Sequence, residues 1–354
     1  MKFGVFSLMQ WPEDRGQDDV FRNETAQLTL AEEQGYDSVW LAEHHFSRYG
    51  IGPSIHLTAA HLAACTTKIR IGTAVTIVPF FHPIRVAEEI AMLDQLSGGR
   101  IDWGAGRGYQ GHEFTGFGVD ITKSHLIFRE QLQVIQRAWS GERFSHDGEF
   151  FRFPELEVLP TPVQRPHPPV YIAALSPETL DWAAENAYPV LTDQFSPVSR
   201  IEENRARYRP RAEAAGVDLA ATRLPTLRQV YVGESMEKAR EEAGPALLWY
   251  YRALARVGSP GGPDGPLPEN YTFYRIWGED ALNPDEDREG FLKFLFDECT
   301  IVGDEAFCRD KLQEHQERYG LDSLIAWQNL GSLSHEQTLA SQRRFIEKVA
   351  PAFA

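Results

Sequence analysis

Cysteine is scarce: Cys65, Cys299 and Cys308 are the only three in the chain, and none lies at CxxC spacing from another. An odd, scattered set excludes a disulfide framework and a zinc knuckle, and it fits a reducing, cytoplasmic setting. Long apolar runs are missing too. No stretch reaches the ~18 to 20 uninterrupted apolar residues of a membrane helix. Residues 1–9 are apolar but lack a small-residue cleavage site and run into Trp11-Pro12-Glu13-Asp14, which reads as a first strand and not as a signal. Positive charge is in deficit, with 35 Lys and Arg against 51 Asp and Glu and a formal net charge of −16. Such a balance repels phosphate backbones and anionic lipid, so neither nucleic acid nor membrane is an expected partner. No HExxH or comparable clustering of ligands occurs, and no metal is expected.

What is present is ample apolar material, 42% of 354 residues, in a repeating pattern of short apolar runs and longer amphipathic ones. That alternation predicts parallel strands joined by crossover helices. Strands are expected over residues 2–8, 38–44, 69–78, 100–106, 170–175, 189–193, 224–233 and 322–328. Helices are expected over 20–34, 54–65, 83–96, 122–140, 177–186, 197–215, 235–256 and 335–349. Pro83, Pro177 and Pro197 suit first turns, and Gly35 and Gly216 suit C-caps. Eight strand–helix pairs point to an α/β fold, a closed (β/α)8 TIM barrel formed as a single domain over residues 1–354. An open doubly wound sheet is the rival. Insertions interrupt the repeat near residues 143–169 and 257–300. The first, with four phenylalanines and six prolines, reads as a hairpin with an extended return. The second joins a Gly- and Pro-rich stretch to Tyr271, Phe273, Tyr274 and Trp277, and reads as a lid or as a surface loop.

Barrel active sites form at the C-terminal ends of strands, and polar residues gather at those ends here. The fourth strand runs into Gly104-Ala105-Gly106-Arg107-Gly108, where three glycines permit positive φ and close approach, and Arg107 offers a charged fork of donors to an anion. The glycine spacing differs from the dinucleotide fingerprint. Ser176-Pro177-Glu178-Thr179 opens a helix, placing hydroxyls and free N–H groups at a positive dipole end, either as a plain N-cap or as the second half of a phosphate site. Glu43, His44 and His45 end the second strand, so alternation sends one histidine to the barrel mouth and the other behind it. A mouth histidine is an acid, base or donor, or a satisfied structural residue. Small residues at Thr73-Ala74-Val75-Thr76 suit a flat ring lying against backbone, or simple barrel packing.

Taken together, several stretches resemble the bacterial luciferase-like flavin-dependent monooxygenases. They are Met1-Lys2-Phe3-Gly4, Val39-Trp40-Leu41 with Glu43-His44-His45-Phe46, Ile71-Gly72-Thr73-Ala74, His82-Pro83, Leu93-Asp94-Gln95-Leu96-Ser97 with Gly99-Arg100, Gly106-Arg107-Gly108, Val170-Tyr171 before Ser176, and Asp181-Trp182-Ala183-Ala184. The likeness covers most of the chain and is weakest over 200–300. It implies the barrel, and it places the FMN phosphate on Arg107, Ser176 and Thr179 with backbone at Leu175. It rests the flavin ring on Ala74 and Val75, where the family has a non-proline cis peptide. It makes His44 catalytic, with Glu113 at an aspartate position that influences the flavin. Gly106 stands where the luciferase α chain has a reactive cysteine, and Gln194 where it has a tryptophan, which argues against light emission.

The resemblance implies an FMNH2-dependent monooxygenase that transfers one oxygen of O2, through a flavin hydroperoxide, to a small, mostly apolar organic substrate. A separate NAD(P)H:flavin reductase would supply the FMNH2. Phe6, Phe46, Trp103, Tyr109 and the late insert are expected to wall the pocket, and a homodimer is expected, with the alanines of residues 54–65 allowing close helix contact. The alternatives are a deazaflavin-dependent dehydrogenase or reductase on the same barrel and a non-catalytic flavin-binding protein.

Overall fold

Strands that alternate with crossover helices are buried on both faces, so the fold must offer them a helical layer outside and side chains inside. The computed structural model, which describes residues 1–261, 266–269, 271 and 285–354, has that arrangement. Phe273, Tyr274 and Trp277 lie outside the described residues. The strands are β1 (Lys2–Ser7), β2 (Ser38–Leu41), β3 (Arg70–Thr73), β4 (Thr76–Ile77), β5 (Ile101–Gly106), β6 (Phe144–Asp147), β7 (Arg152–Leu156), β8 (Val170–Ala173), β9 (Val190–Leu191), β10 (Thr226–Val232), β11 (Thr300–Gly303) and β12 (Ser323–Trp327). The α-helices are α1 (Gln17–Gln34), α2 (Ile55–Cys65), α3 (Pro83–Ser97), α4 (Gly111–Phe117), α5 (Ser124–Trp139), α6 (Pro177–Glu185), α7 (Val198–Ala214), α8 (Met236–Val257), α9 (Arg288–Phe294), α10 (Glu305–Tyr319) and α11 (His335–Arg344).

Parallel neighbours run β10-β12-β1-β2-β3-β5-β8-β9, and a bridge from Thr192 to Thr226 returns the end of β9 to β10. Eight strands thus close a ring, as the alternation predicts. Proline and glycine mark the helix ends: Pro83 and Pro177 sit in first turns, Pro197 instead stands at an N-cap, and Gly35 closes α1 at φ 96°. Residues 143–169 hold the antiparallel β6–β7 hairpin and an extended return with cis prolines at 160 and 166.

The structure adds elements that the sequence does not predict. The expected third strand is two pieces, β3 and β4, with a cis peptide between Ala74 and Val75. β11 shares with β9 one edge of β10, and α10 follows it. A signal for α10 exists: its buried residues Cys308, Leu312, His315 and Tyr319 form an i, i+4, i+7, i+11 stripe in an otherwise charged segment.

Glycine lets the barrel interior take a tryptophan. A Cβ on Gly72 would lie 2.2 Å from Cε3 of Trp40, so the indole fills space that any other residue would claim. On the same face, Arg70, two residues before Gly72, and Asp102, the register partner of Gly72 on β5, make a two-pronged pair, Nε to Oδ2 at 2.7 Å and Nη2 to Oδ1 at 2.8 Å. None of Trp40, Arg70 and Asp102 lines the cavity at the C-terminal strand ends. Among the described residues no helix is long and apolar enough to cross a membrane.

Candidate active site

The C-terminal ends of the strands surround one cavity, and His44, Ala74, Val75, Arg107, Leu175, Ser176 and Thr179 all line it. Glu113 sits directly behind, with Oε1 2.9 Å from His44 Nδ1. β2 stops at Leu41, so Glu43 to His45 lie just beyond the strand rather than within it. Alternation still separates the histidines. His44 faces the cavity, edge-on to Tyr49 at 4.7 Å between ring centroids, while His45 turns to Glu43, Nε2 to Oε1 3.0 Å, and packs against Phe80 and Phe117.

The partners of His44 set its tautomer. Glu113 Oε1 also accepts the His45 backbone N–H at 2.8 Å, which fixes the carboxylate. A carboxylate oxygen accepts only, so the imidazole donates from Nδ1 and turns Nε2 to the opposite ring edge. Both groups are buried, His44 at 8% and Glu113 at 0% exposure. Glu113 comes from α4, a helix absent from the sequence expectation, which begins helical periodicity only at Thr122.

The glycines differ in role from the expected phosphate cradle. Only Gly108 has a positive φ, 77°, whereas Gly104 and Gly106 are strand residues. A Cβ on Gly104 would lie 2.0 Å from the Thr73 carbonyl, and one on Gly106 2.4 Å from Val75 Cγ2. Their lack of a side chain serves close approach of β5 to the residues around the Ala74–Val75 cis peptide, and leaves a smooth floor. The same alternation corrects the pocket walls. Gly106 faces inward, so Trp103 faces out, where its ring meets Trp139 and its Nε1 donates to Thr76 Oγ1 at 3.1 Å. Phe46, at φ 58° and 64% exposure, also points away from the cavity. Phe6 and Tyr109 do line it.

At one end, Arg107 follows β5 and Ser176 caps α6, its Oγ accepting the Thr179 N–H at 3.3 Å and lying 3.1 Å from Thr179 Oγ1. A guanidinium, two hydroxyls and a helix N-terminus form a donor set for an anion. At the other end is a tyrosine wall of which the sequence shows only one member. Gln194 Nε2 donates to Tyr250 OH at 2.8 Å, Tyr250 OH lies 3.1 Å from Tyr49 OH, and Tyr49 OH 3.4 Å from Tyr109 OH. Burial first, and then neighbouring phenols, hold all three hydroxyls well above the usual tyrosine range, so they stay neutral. No local pattern distinguishes Tyr250 from the other apolar positions of α8. Among the described residues no cluster of three or more His, Cys, Asp or Glu could hold a metal ion.

The family of luciferase-like monooxygenases matches residues 1–323. The oxygenase component of a flavin-dependent trigonelline monooxygenase from Acinetobacter baylyi is 28% identical, over 100% of this chain and 96% of its own. The crystal structure of a monooxygenase from Streptomyces bottropensis superposes with a TM-score of 0.85 at 27% identity, over 100% of both chains. The oxygenating constituent of 3,6-diketocamphane monooxygenase from Pseudomonas putida, in complex with FMN, has the same fold, with a TM-score of 0.82 at 20% identity over 100% of this chain and 99% of that one. With its strand-end cavity, its cis peptide at Ala74–Val75 and this match over nearly its whole length, the chain belongs to the luciferase-like monooxygenase family and is a flavin-dependent monooxygenase.

Proposed function

We propose that this chain binds reduced FMN across the cavity and oxygenates a small, mostly apolar organic substrate, drawing FMNH2 from a separate NAD(P)H:flavin reductase. One observation carries the reading: a single cavity joins a phosphate-type donor set, Arg107 with Ser176 and Thr179, to a buried histidine of fixed tautomer, across a floor of Ala74, Val75 and Gly106. The fit to FMN is chemical at each part. Donors and a helix N-terminus suit a phosphate, a floor without projecting side chains suits a flat ring, and apolar walls from Phe6, Leu8, Leu191, Leu227 and Ile325 suit an apolar substrate.

When bound, reduced flavin supplies the activation of O2. The chain does the rest. Arg107, Ser176 and Thr179 hold the phosphate and so orient the ring. His44 accepts or returns a proton at Nε2, steadied by Glu113, and the buried walls keep bulk water from the reacting face.

Replacing Arg107 by Ala is expected to weaken FMN binding by about 1.5 to 3 kcal/mol, the worth of a charge-assisted hydrogen bond. Equilibrium titration of flavin fluorescence checks this, and unchanged affinity removes Arg107 from the site. The function itself is tested by mixing anaerobic FMNH2-loaded protein with oxygenated buffer. Flavin reoxidation slower than in free solution, with oxygenated product from added aldehydes, ketones or terpenes, supports the oxygenase. Immediate reoxidation without product, together with tighter binding of a deazaflavin than of FMN, would replace it with hydride transfer on the same barrel.

We also propose a homodimer joined through α2 and α3, which pack on each other and leave Leu57, Met92 and Leu96 exposed at 74%, 55% and 60%. Ala59 and Ala63 of α2 are buried in the barrel's own core. Light scattering on wild type and Leu57→Asp tests it, and a wild-type monomer at micromolar concentration would end the proposal.

A further inference from the structure

The late segment sends one described side chain to the phosphate end of the cavity. Tyr271 is completely buried, at 0% exposure. The Arg107 guanidinium carbon lies 4.2 Å from the centroid of its ring. Its hydroxyl donates to the Gly108 carbonyl at 2.7 Å and, with its proton committed there, accepts from Ser124 Oγ at 3.0 Å. One residue therefore links the turn after β5, the first turn of α5 and the guanidinium between them.

Charge concentrates at the same place. Burial, and then the neighbouring Arg107, lower the pKa values of His125 and Arg129 on α5. Arg129 in turn stands over Trp182 of α6, 5.2 Å from the ring centroid. Two guanidinium groups, Arg107 and Arg129, thus stand close together in a chain of net charge −16 and have an anion as their natural complement.

The ring under Arg107 has an energetic consequence. An arginine side chain loses rotamer freedom when it orders on a ligand. A guanidinium held over an aromatic ring has already given up part of that freedom, so the contact lowers the ordering cost of meeting an anion. The two hydrogen bonds of Tyr271 hold the ring in place, and the one to Gly108 also fixes the backbone next to Arg107.

We propose that Tyr271 is a positioning residue for phosphorylated flavin: by holding the Arg107 guanidinium over its ring and pinning Gly108 it readies that group for the phosphate, and it thereby sets how strongly the chain prefers FMN to riboflavin. The inference rests on the assignment of the FMN phosphate to Arg107. It gives the late segment a part in cofactor recognition.

The test is titration of full-length wild type, Tyr271→Leu, Tyr271→Phe and Arg107→Ala with FMN and with riboflavin, after thermal unfolding confirms that each variant is folded. Tyr271→Leu is expected to cut the preference for FMN over riboflavin roughly 5- to 30-fold, the range of a partly to fully desolvated cation–π contact. Riboflavin affinity should change little, and Tyr271→Phe, which keeps the aromatic face, should retain most of the preference. Tyr271→Met, of similar apolar bulk without a π face, replaces the leucine variant if that one does not fold. Equal weakening of both flavins would make Tyr271 an ordinary structural residue and overturn the proposal, as would no change in either. An Arg107→Ala protein that keeps its preference for FMN would instead refute the phosphate assignment, whatever the tyrosine variants do.

Discussion

Glu113 and the imidazole of His44 share one proton contact, and that contact governs which ring nitrogen faces the cavity. Glutamine at 113 keeps the volume but offers an amide that can donate as well as accept, so the other tautomer becomes available. Glu113→Gln is expected to lower turnover by roughly 10-fold or more, as wrong-tautomer variants of histidine dyads do, with FMN affinity near wild type. His44→Ala should cost roughly 10² to 10⁴-fold in kcat, the range of a lost general acid or base. Steady-state rates with a coupled reductase check both, and undiminished turnover in His44→Ala would exclude the histidine from the chemistry. At this scale strand alternation separates His44 from His45 without saying which faces the mouth, and only the family resemblance chooses His44. In the structure the choice follows from where Glu43, Phe80, Phe117 and Glu113 lie, since those partners occupy His45 and orient His44.

In a strand, glycine is ordinarily a weakness, because it adds conformational entropy and packs nothing. β3 and β5 accept that cost where another group needs the room. Gly72→Ala would set a Cβ within 2.6 Å of three Trp40 ring atoms. The overpacking is expected to remove about 1 to 3 kcal/mol of stability, read as a lower denaturant midpoint at unchanged slope. Gly106→Ala meets Val75 Cγ2 in the cavity floor instead. It should weaken FMN binding more than it lowers stability, and Val75→Ala in the same chain should restore part of the loss. The glycines are conspicuous in the sequence, yet their reason is not. Close approach of a neighbouring strand and close approach of a ligand select the same residue type, and only the position of Val75 and of the Thr73 carbonyl separates them.

The whole molecule carries a pH-sensitive buried carboxyl between α1 and the barrel. Glu24 is 7% exposed, accepts from Ser7 Oγ, from the Met9 N–H at 3.0 Å and from Asn329 Nδ2 at 2.8 Å, and burial raises its pKa from 4.5 to about 7. Below the unfolded value both states hold the proton and the stabilising contribution is complete. As pH rises from 4.5 the unfolded chain releases its proton first, so stability declines until the folded site also ionises at about 7. The loss is on the order of 3 kcal/mol across that window. Urea unfolding at a series of pH values should show this decline in wild type, and Glu24→Gln should flatten it. A wild-type profile that rises over the same window, with no change in the variant, would contradict the assignment.

Local periodicity and helix punctuation are enough to find the eight strands of the ring, because each must bury one face or both whatever it packs against, but they miss β11, α4 and α10. The family-like residues His44, Arg107, Ser176 and Thr179 are legible for a related reason. A barrel delivers strand ends to one rim, so residues just after strands meet there. Tertiary structure alone decides what stands opposite what. The alternation of β5 turns Trp103 outward once Gly106 faces in, α4 brings Glu113 behind His44, and Tyr49, Tyr109, Gln194 and Tyr250 converge from four separate segments. Tyr271 reaches Arg107 across 163 positions of sequence separation from Gly108, the carbonyl it binds. A periodic pattern records that a side chain is buried, whereas its partner is set by the closure of the ring and the packing of helices far apart in the chain.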